Sequence, residues 1–442
     1  MMIRAFRAEL LSVPHDPRDR PDAIRHEPDG LLVVEDGLVV AFGSFASIAP
    51  QFPDITTENL AGLVVPGFVD AHVHYPQTAR IASHGEQLLD WLDRHIFPAE
   101  TAFADKAHCE RMAAFFLDEL LRNGTTSALV YPTVHAQSVD ALFEAALTRD
   151  MRVISGRVLM DLGPEGLRDT VATGRADTEA LIRRWRGRGR LGYAITPRYA
   201  LASSDEQLAD AGALLAQYPD VLLHTHMAEN RDEIAGVAAR FVDASDYLDV
   251  YDRFGLVGER SVFAHGVHLS DDACQRLHSS GAGIAVCPSS NLFLGSGHFD
   301  FGQADRHHVR LGLGSDIGAG TTFSMLRNAG LAYQAAIARG DRLDPFRALH
   351  LATAGSAGLL HIADRVGGLM PGQEADFVVL DPFATPLLAL RNAGATLAER
   401  LFAMQVLGDD RLVARTYVMG RCVWDRDNPL SAQTGSANHD RS

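Results

Sequence analysis

Pro66-Gly67-Phe68-Val69-Asp70-Ala71-His72-Val73-His74 decides how this chain folds. A short apolar run that begins near Val65 closes on His-x-His. In a strand, residues i and i+2 share a face, so His72 and His74 can grip one metal ion together. Alone, the motif says little. A chain of 442 residues with 19 histidines yields about 0.8 such pairs by chance. His224-x-His226 is indeed a second one. The weight comes from where the pair sits in a longer pattern.

Outward from His74, seven more short apolar runs begin near Thr126, Val153, Tyr193, Val221, Val262, Ile284 and Val309. Helical patterns separate them, for example Cys109 to Arg122 and Glu206 to Gln217. Eight strand–helix alternations predict an α/β chain folded as a distorted (β/α)8 TIM barrel. An open doubly wound sheet usually has fewer strands, and no GxGxxG follows the first run, so dinucleotide binding has no support. Barrel sites form at the C-terminal ends of strands. There the sequence places His72, His74, His226, His265 in Val262-Phe263-Ala264-His265, and Asp316 in Gly312-Leu313-Gly314-Ser315-Asp316. Neutral imidazoles with one carboxylate suit Zn²⁺, and also Fe²⁺. His224 shares the face of His226 one layer deeper, where a satisfied interior histidine is the stronger reading.

Both ends of the chain read as β-structure. Leu32-Val33-Val34 and Leu38-Val39-Val40 flank Glu35-Asp36-Gly37, a hairpin signal. Ala375-Asp376-Phe377-Val378-Val379-Leu380 reads as a strand, and Arg415 to Trp424 as a last hairpin around Gly420-Arg421. Residues 1–65 and 370–442 are therefore expected to form a small β-sandwich domain, and 66–369 the catalytic barrel. The polar tail from Asp425 onward is expected to fray.

Hydrophobic residues make up 47% of the chain, enough for a large core, and the formal net charge is -16. That field repels phosphate backbones and argues against a nucleic-acid partner. The run Arg183-Arg184-Trp185-Arg186-Gly187-Arg188-Gly189-Arg190 reads as a solvated helix end rather than an anion site. Four cysteines without a CxxC pair, no signal-peptide core and no membrane-length apolar run predict a soluble cytoplasmic protein that does not engage membranes.

His-x-His, His, His and Asp on successive strands resemble the amidohydrolase superfamily, and so does the return Gly368 to Asp381 into the terminal β-segments. The resemblance spans nearly the whole chain. It implies that His72, His74, His226 and Asp316 ligate the metal and that His265 stands beside the activated water. It also implies that Glu229, three residues after His226, shuttles protons. Asp316 would take the first of them, which makes Glu229, His265 and Asp316 the expected catalytic groups. Many binuclear members use a carboxylated lysine from strand four. The single lysine, Lys106, precedes strand two, so that bridge is excluded and one metal per subunit is favoured.

Four loops narrow the resemblance to the guanine deaminases of that superfamily: His74-Tyr75-Pro76-Gln77-Thr78 with Gly85 to Leu92 and Phe97-Pro98; His226 to Glu233; Cys287 to Gly297; and Asp316 to Thr322. The resemblance implies a purine substrate whose edge is read by Gln77 and Arg198, with Tyr199 as an aromatic wall and Trp91 nearby. It also implies a homodimer. One stretch departs: Arg198-Tyr199-Ala200-Leu201-Ala202 stands where the family usually has Arg-Phe-Ala-Pro-Thr, which bears on fine specificity. The expected reaction is hydrolytic deamination of guanine to xanthine and ammonia. The alternatives are deamination of a related ring (oxidised guanine, a pterin or another aminopurine), or a barrel that has lost catalysis. The last predicts missing ligands, and none is missing.

Overall fold

A computed structural model describes residues 2–20, 22–85 and 87–428. Glu86 and the tail from 429, on which parts of the sequence reading fall, lie outside the described residues. Among the described residues, sixteen strands are present. Four open the chain: β1 (Ile3–Ser12), β2 (Arg25–Glu35), β3 (Leu38–Ser44) and β4 (Thr57–Pro66). Nine follow in the middle: β5 (Phe68–His74), β6 (Thr125–Tyr131), β7 (Arg152–Ser155), β8 (Val158–Leu159), β9 (Gly192–Pro197), β10 (Leu222–Met227), β11 (Ser261–His265), β12 (Gly283–Val286) and β13 (Arg310–Leu313). Three close it: β14 (Phe377–Leu380), β15 (Val413–Val418) and β16 (Arg421–Asp425).

The terminal strands form one sheet in the order β16-β15-β14-β4-β1-β2-β3. Three inter-strand spacings separate β15 from β1, about 14 Å in a flat sheet. Yet the Phe6 and Tyr417 rings lie 5.3 Å apart. The sheet therefore curls over a shared core to which Phe6, Leu32, Val64, Phe377 and Tyr417 all contribute. Asp36 (φ 47°) and Gly37 (φ 87°) both take left-handed backbone, as a two-residue hairpin turn requires. Asp425, expected to begin the frayed tail, instead closes β16 opposite Arg415 and holds its guanidinium at 2.9 Å.

The eight barrel strands run β5-β6-β7-β9-β10-β11-β12-β13, with β8 paired to β9, all in parallel register. The ring is laced shut where Asp316 N–H donates to the His72 carbonyl, 2.9 Å away. The run beginning near Val65 is split: β4 ends at Pro66 in the terminal sheet, and the barrel begins at Phe68. Gly67 makes that passage possible, because a Cβ there would lie 2.2 Å from Thr126 Oγ1. Asp105 and Ser204 side chains cap the helices Lys106–Arg122 and Asp205–Gln217, so both begin slightly before the expected bounds. Among the described residues, no helix is long and apolar enough to cross a membrane.

The arginine run is not a solvated patch throughout. Arg184 and Arg186 do reach Asp140 and Asp220 at the surface. Arg190, however, is buried, donating to Glu374 and Asp376 at 2.5 and 2.6 Å. Glu374 also receives Arg152, the first residue of β7. This cluster joins the N-terminal end of the barrel to the segment leading into β14. Burial pushes the Glu374 carboxyl up, but Arg152 and Arg190 outweigh it and hold it below the usual carboxylate range. A depressed folded pKa contributes stability above the unfolded value near 4.3, which fades as pH falls through the folded value. Glu374→Gln is thus expected to destabilise the protein by about 3 kcal/mol at pH 7. Paired denaturant titrations of mutant and parent should converge only as pH falls through the depressed folded value of Glu374; a pH-independent gap would refute the ionic origin.

Candidate active site

The C-terminal ends of the barrel strands bring the expected groups together. His72 and His74 close β5, His226 stands one residue before the end of β10, and His265 ends β11. Asp316 does not end a strand. β13 stops at Leu313, and the next residues turn inward because Ser315 N–H and Oγ donate to buried Asp70, at 2.9 and 2.5 Å. That turn leaves Asp316 in left-handed backbone (φ 50°), as are Ala228 (φ 51°) and His265 (φ 74°). Three non-glycine residues in this region around one site are strain held by their surroundings.

His74 Nε2 lies 3.2 Å from His72 Nε2 and 3.1 Å from His226 Nε2. Asp316 Oδ1 lies 3.1 Å from His72 Nε2 and 3.4 Å from His74 Nε2. Donors at the corners of a tetrahedron, each about 2.05 Å from a central ion, stand about 3.3 Å apart. These four separations suit donors gathered around a divalent metal. The His226 tautomer fits as well. The Arg198 carbonyl can only accept, so His226 Nδ1 donates to it at 2.7 Å and leaves Nε2 bare. His72 Nδ1 is paired with His224 Nε2 at 2.7 Å. His224 is thus interior, as expected, but it also orients the His72 ring. Burial, the largest influence, keeps His72, His74, His224 and His226 well below the ordinary imidazole range.

His265 sits beside this set, with Nε2 3.5 Å from Glu229 Oε2 and 3.8 Å from Asp316 Oδ2. One donor atom each from His72, His226, His265 and Asp316 falls within 4.8 Å of the others. Asn291 Oδ1, 2.9 Å from His265 Nδ1, orients the ring. Burial depresses the imidazole, but the carboxylates of Glu229 and Asp316 outweigh it and raise it. Burial pushes Glu229 up to about 7, against the pull of His265. Glu233 fixes the Glu229 main chain, its Oε2 accepting from Glu229 N–H at 3.0 Å and its Oε1 from Tyr247 Oη at 2.6 Å.

One pocket is lined by His74, His226, His265, Asp316 and Glu229 and also by Gln77, Arg198, Tyr199 and Trp91. Gln77 and Arg198, expected to read a substrate edge, are buried. Leu201 and Ala202, where the sequence departs from its relatives, do not line it. Leu201 packs toward Gly236 and Ala202 joins the cluster of Tyr131 and Val134. Sequence reasoning missed Glu100, which is 1% exposed and bridges Gln77 and Arg198 at 3.1 and 2.7 Å. Lys106 is on the outer helix beside Glu110, away from any strand end.

Residues 63–423 match the amidohydrolase family. The chain belongs to the amidohydrolase family. This amidohydrolase is 48% identical to the guanine deaminase of Escherichia coli (strain K12), over 96% of its own length and 98% of the relative. The solved structure of E. coli guanine deaminase superposes with a TM-score of 0.93 at 46% identity, covering 96% of this chain and 100% of that one. The guanine deaminase of C. acetobutylicum, solved with guanine in its active site, superposes with a TM-score of 0.88 at 27% identity, covering 95% and 100%. The amidohydrolase fold and its His/Asp donor set make this a divalent-metal site.

Proposed function

We infer that this amidohydrolase is a zinc-dependent guanine deaminase, converting guanine and water to xanthine and ammonia. The observation that carries the reading is one pocket that joins His74, His226 and Asp316 to Glu229, Gln77 and Arg198, with His72 in reach of Asp316 and His74, in a chain whose relatives bear that name. Those four residues would hold one Zn²⁺ per subunit, which when bound supplies a nucleophile from water at neutral pH.

The chain's own residues do the rest. Asp316 accepts the proton released as water attacks ring carbon C2. Glu229, enclosed and near neutral affinity, gives its proton to the adjacent ring nitrogen, takes the remaining proton of the added water and passes it to the departing amine; the proton held by Asp316 then restores Glu229. The C2–O bond forms, the C2–N bond breaks, and ammonia leaves. His265, held by Asn291, donates to or steadies the attacking oxygen. Arg198 offers its fork to the purine C6 carbonyl, Gln77 meets the neighbouring ring nitrogen, and Tyr199 walls one face. Residues 66–369 serve as the catalytic barrel, with 1–65 and 370–442 as the supporting domain. A cytoplasmic homodimer accords with four unpaired cysteines and with exposed Phe383, Leu387 and Leu390 close together in sequence.

The test is release of ammonia and xanthine from guanine by the purified, zinc-loaded protein. Turnover of guanine above other aminated rings is expected. Turnover of an oxidised guanine or a pterin with none of guanine would replace this reading with the alternative.

A further inference from the structure

Glu100 has no part in the chemistry above, yet it is buried against the two residues expected to read the substrate edge, Gln77 and Arg198. Its Oε1 accepts from Gln77 Nε2 at 3.1 Å, and its Oε2 accepts from Arg198 Nη1 at 2.7 Å. It sits in the helix Phe97–Thr101, whose Phe97 ring lies 5.2 Å from the Arg198 guanidinium. We propose that Glu100 is a positioning residue that sets the hydrogen-bonding polarity of the pocket, restricting it to rings with an N–H beside a C=O. This rests on the guanine reading.

The argument follows from what each group can donate. An ionised carboxylate only accepts. Against Glu100, therefore, the Gln77 amide must turn its NH₂ inward, and the flip that leaves most amides ambiguous is closed. Gln77 Oε1 accepts no hydrogen bond among the described residues, which leaves it an acceptor for a ring in the pocket that Gln77 lines. Arg198 can only donate, and Glu100 neutralises its charge and fixes its plane. An acceptor beside a donor is the complement of a lactam edge, N1–H next to C6=O. A ring with a bare N1 and an amine at C6 would set acceptor against acceptor and donor against donor.

2,6-Diaminopurine isolates this effect, because it keeps the departing C2 amine and changes only the edge. The native protein is expected to favour guanine over it by about 10³-fold or more in kcat/KM. In Glu100→Gln, the new amide can donate to Gln77 and let it turn. The preference is then expected to fall by about 30-fold, with guanine losing mainly through KM and diaminopurine little changed. Gln77→Met, which leaves Glu100 in place, should lower the preference similarly. A merely structural role would depress both substrates in parallel. An unchanged preference in either variant overturns the proposal while the guanine reading stands. Failure of the native protein to turn over guanine overturns both.

Discussion

Glu229→Gln is expected to lower turnover of guanine by about 10³-fold or more, with bound metal unchanged. Positioned acid–base groups contribute about 10²–10⁴ in rate, and a factor of 10³ corresponds to about 4 kcal/mol of barrier. The amide is isosteric, but it cannot take and give the protons that the proposed shuttle moves to the ring nitrogen and departing amine. The site should survive the change. Glu229 is held by its main chain, through Ala228 in left-handed backbone and Glu233 below it, and Asn230 and Glu233 form the capping box of the next helix. None of the four metal donors loses a partner. Single-turnover ammonia release, with metal stoichiometry measured on the same sample, checks this. Activity within tenfold of the parent would remove Glu229 from the proton path.

How much was legible in advance follows the range of the interactions. The eight barrel strands were readable because each is a local apolar run between helical patterns. The hairpin at Asp36-Gly37 was readable because two residues set its turn. Five polar groups at the barrel mouth were readable because strand ends converge there in this architecture. What failed was long in sequence. Glu100 meets Gln77 across 23 positions and Arg198 across 98, so an ordinary helical glutamate carried no signal. Arg190 looked solvated because its partners, Glu374 and Asp376, lie 184 and 186 positions away. Asp316 was placed on a strand end because its apolar run continues in pattern, whereas the pull of Asp70 on Ser315 bends the chain first. The departure at Leu201-Ala202 looked like a question of substrate choice. Its side chains face the packing behind the pocket, so that question passes to Arg198, Gln77 and the carboxylate that binds them.

Asp316→Asn is expected to be the more damaging change at the same site. Asp316 holds three relations at once: Oδ1 stands 3.1 and 3.4 Å from His72 and His74, Oδ2 faces His265 at 3.8 Å, and its peptide N–H closes the barrel on His72. Asparagine keeps the peptide bond and the size of the side chain, and it also tolerates left-handed backbone. The fold should therefore persist. What disappears is the charge that would complement a divalent ion and the oxygen proposed to accept the first proton. Zinc affinity should fall by more than the roughly 10–100-fold typical of losing a ligand's supporting partner. Turnover of guanine should drop by about 10⁴-fold even when excess zinc refills the site. Calorimetric zinc titration, thermal melting of the metal-free proteins and saturating-metal kinetics separate these effects. Glu229→Gln should lose chemistry and keep metal, while Asp316→Asn should lose both with the metal-free melting temperature little moved. An Asp316→Asn protein that binds zinc like the parent but is inactive would confine Asp316 to proton transfer. One that is active at saturating zinc would confine it to ligation.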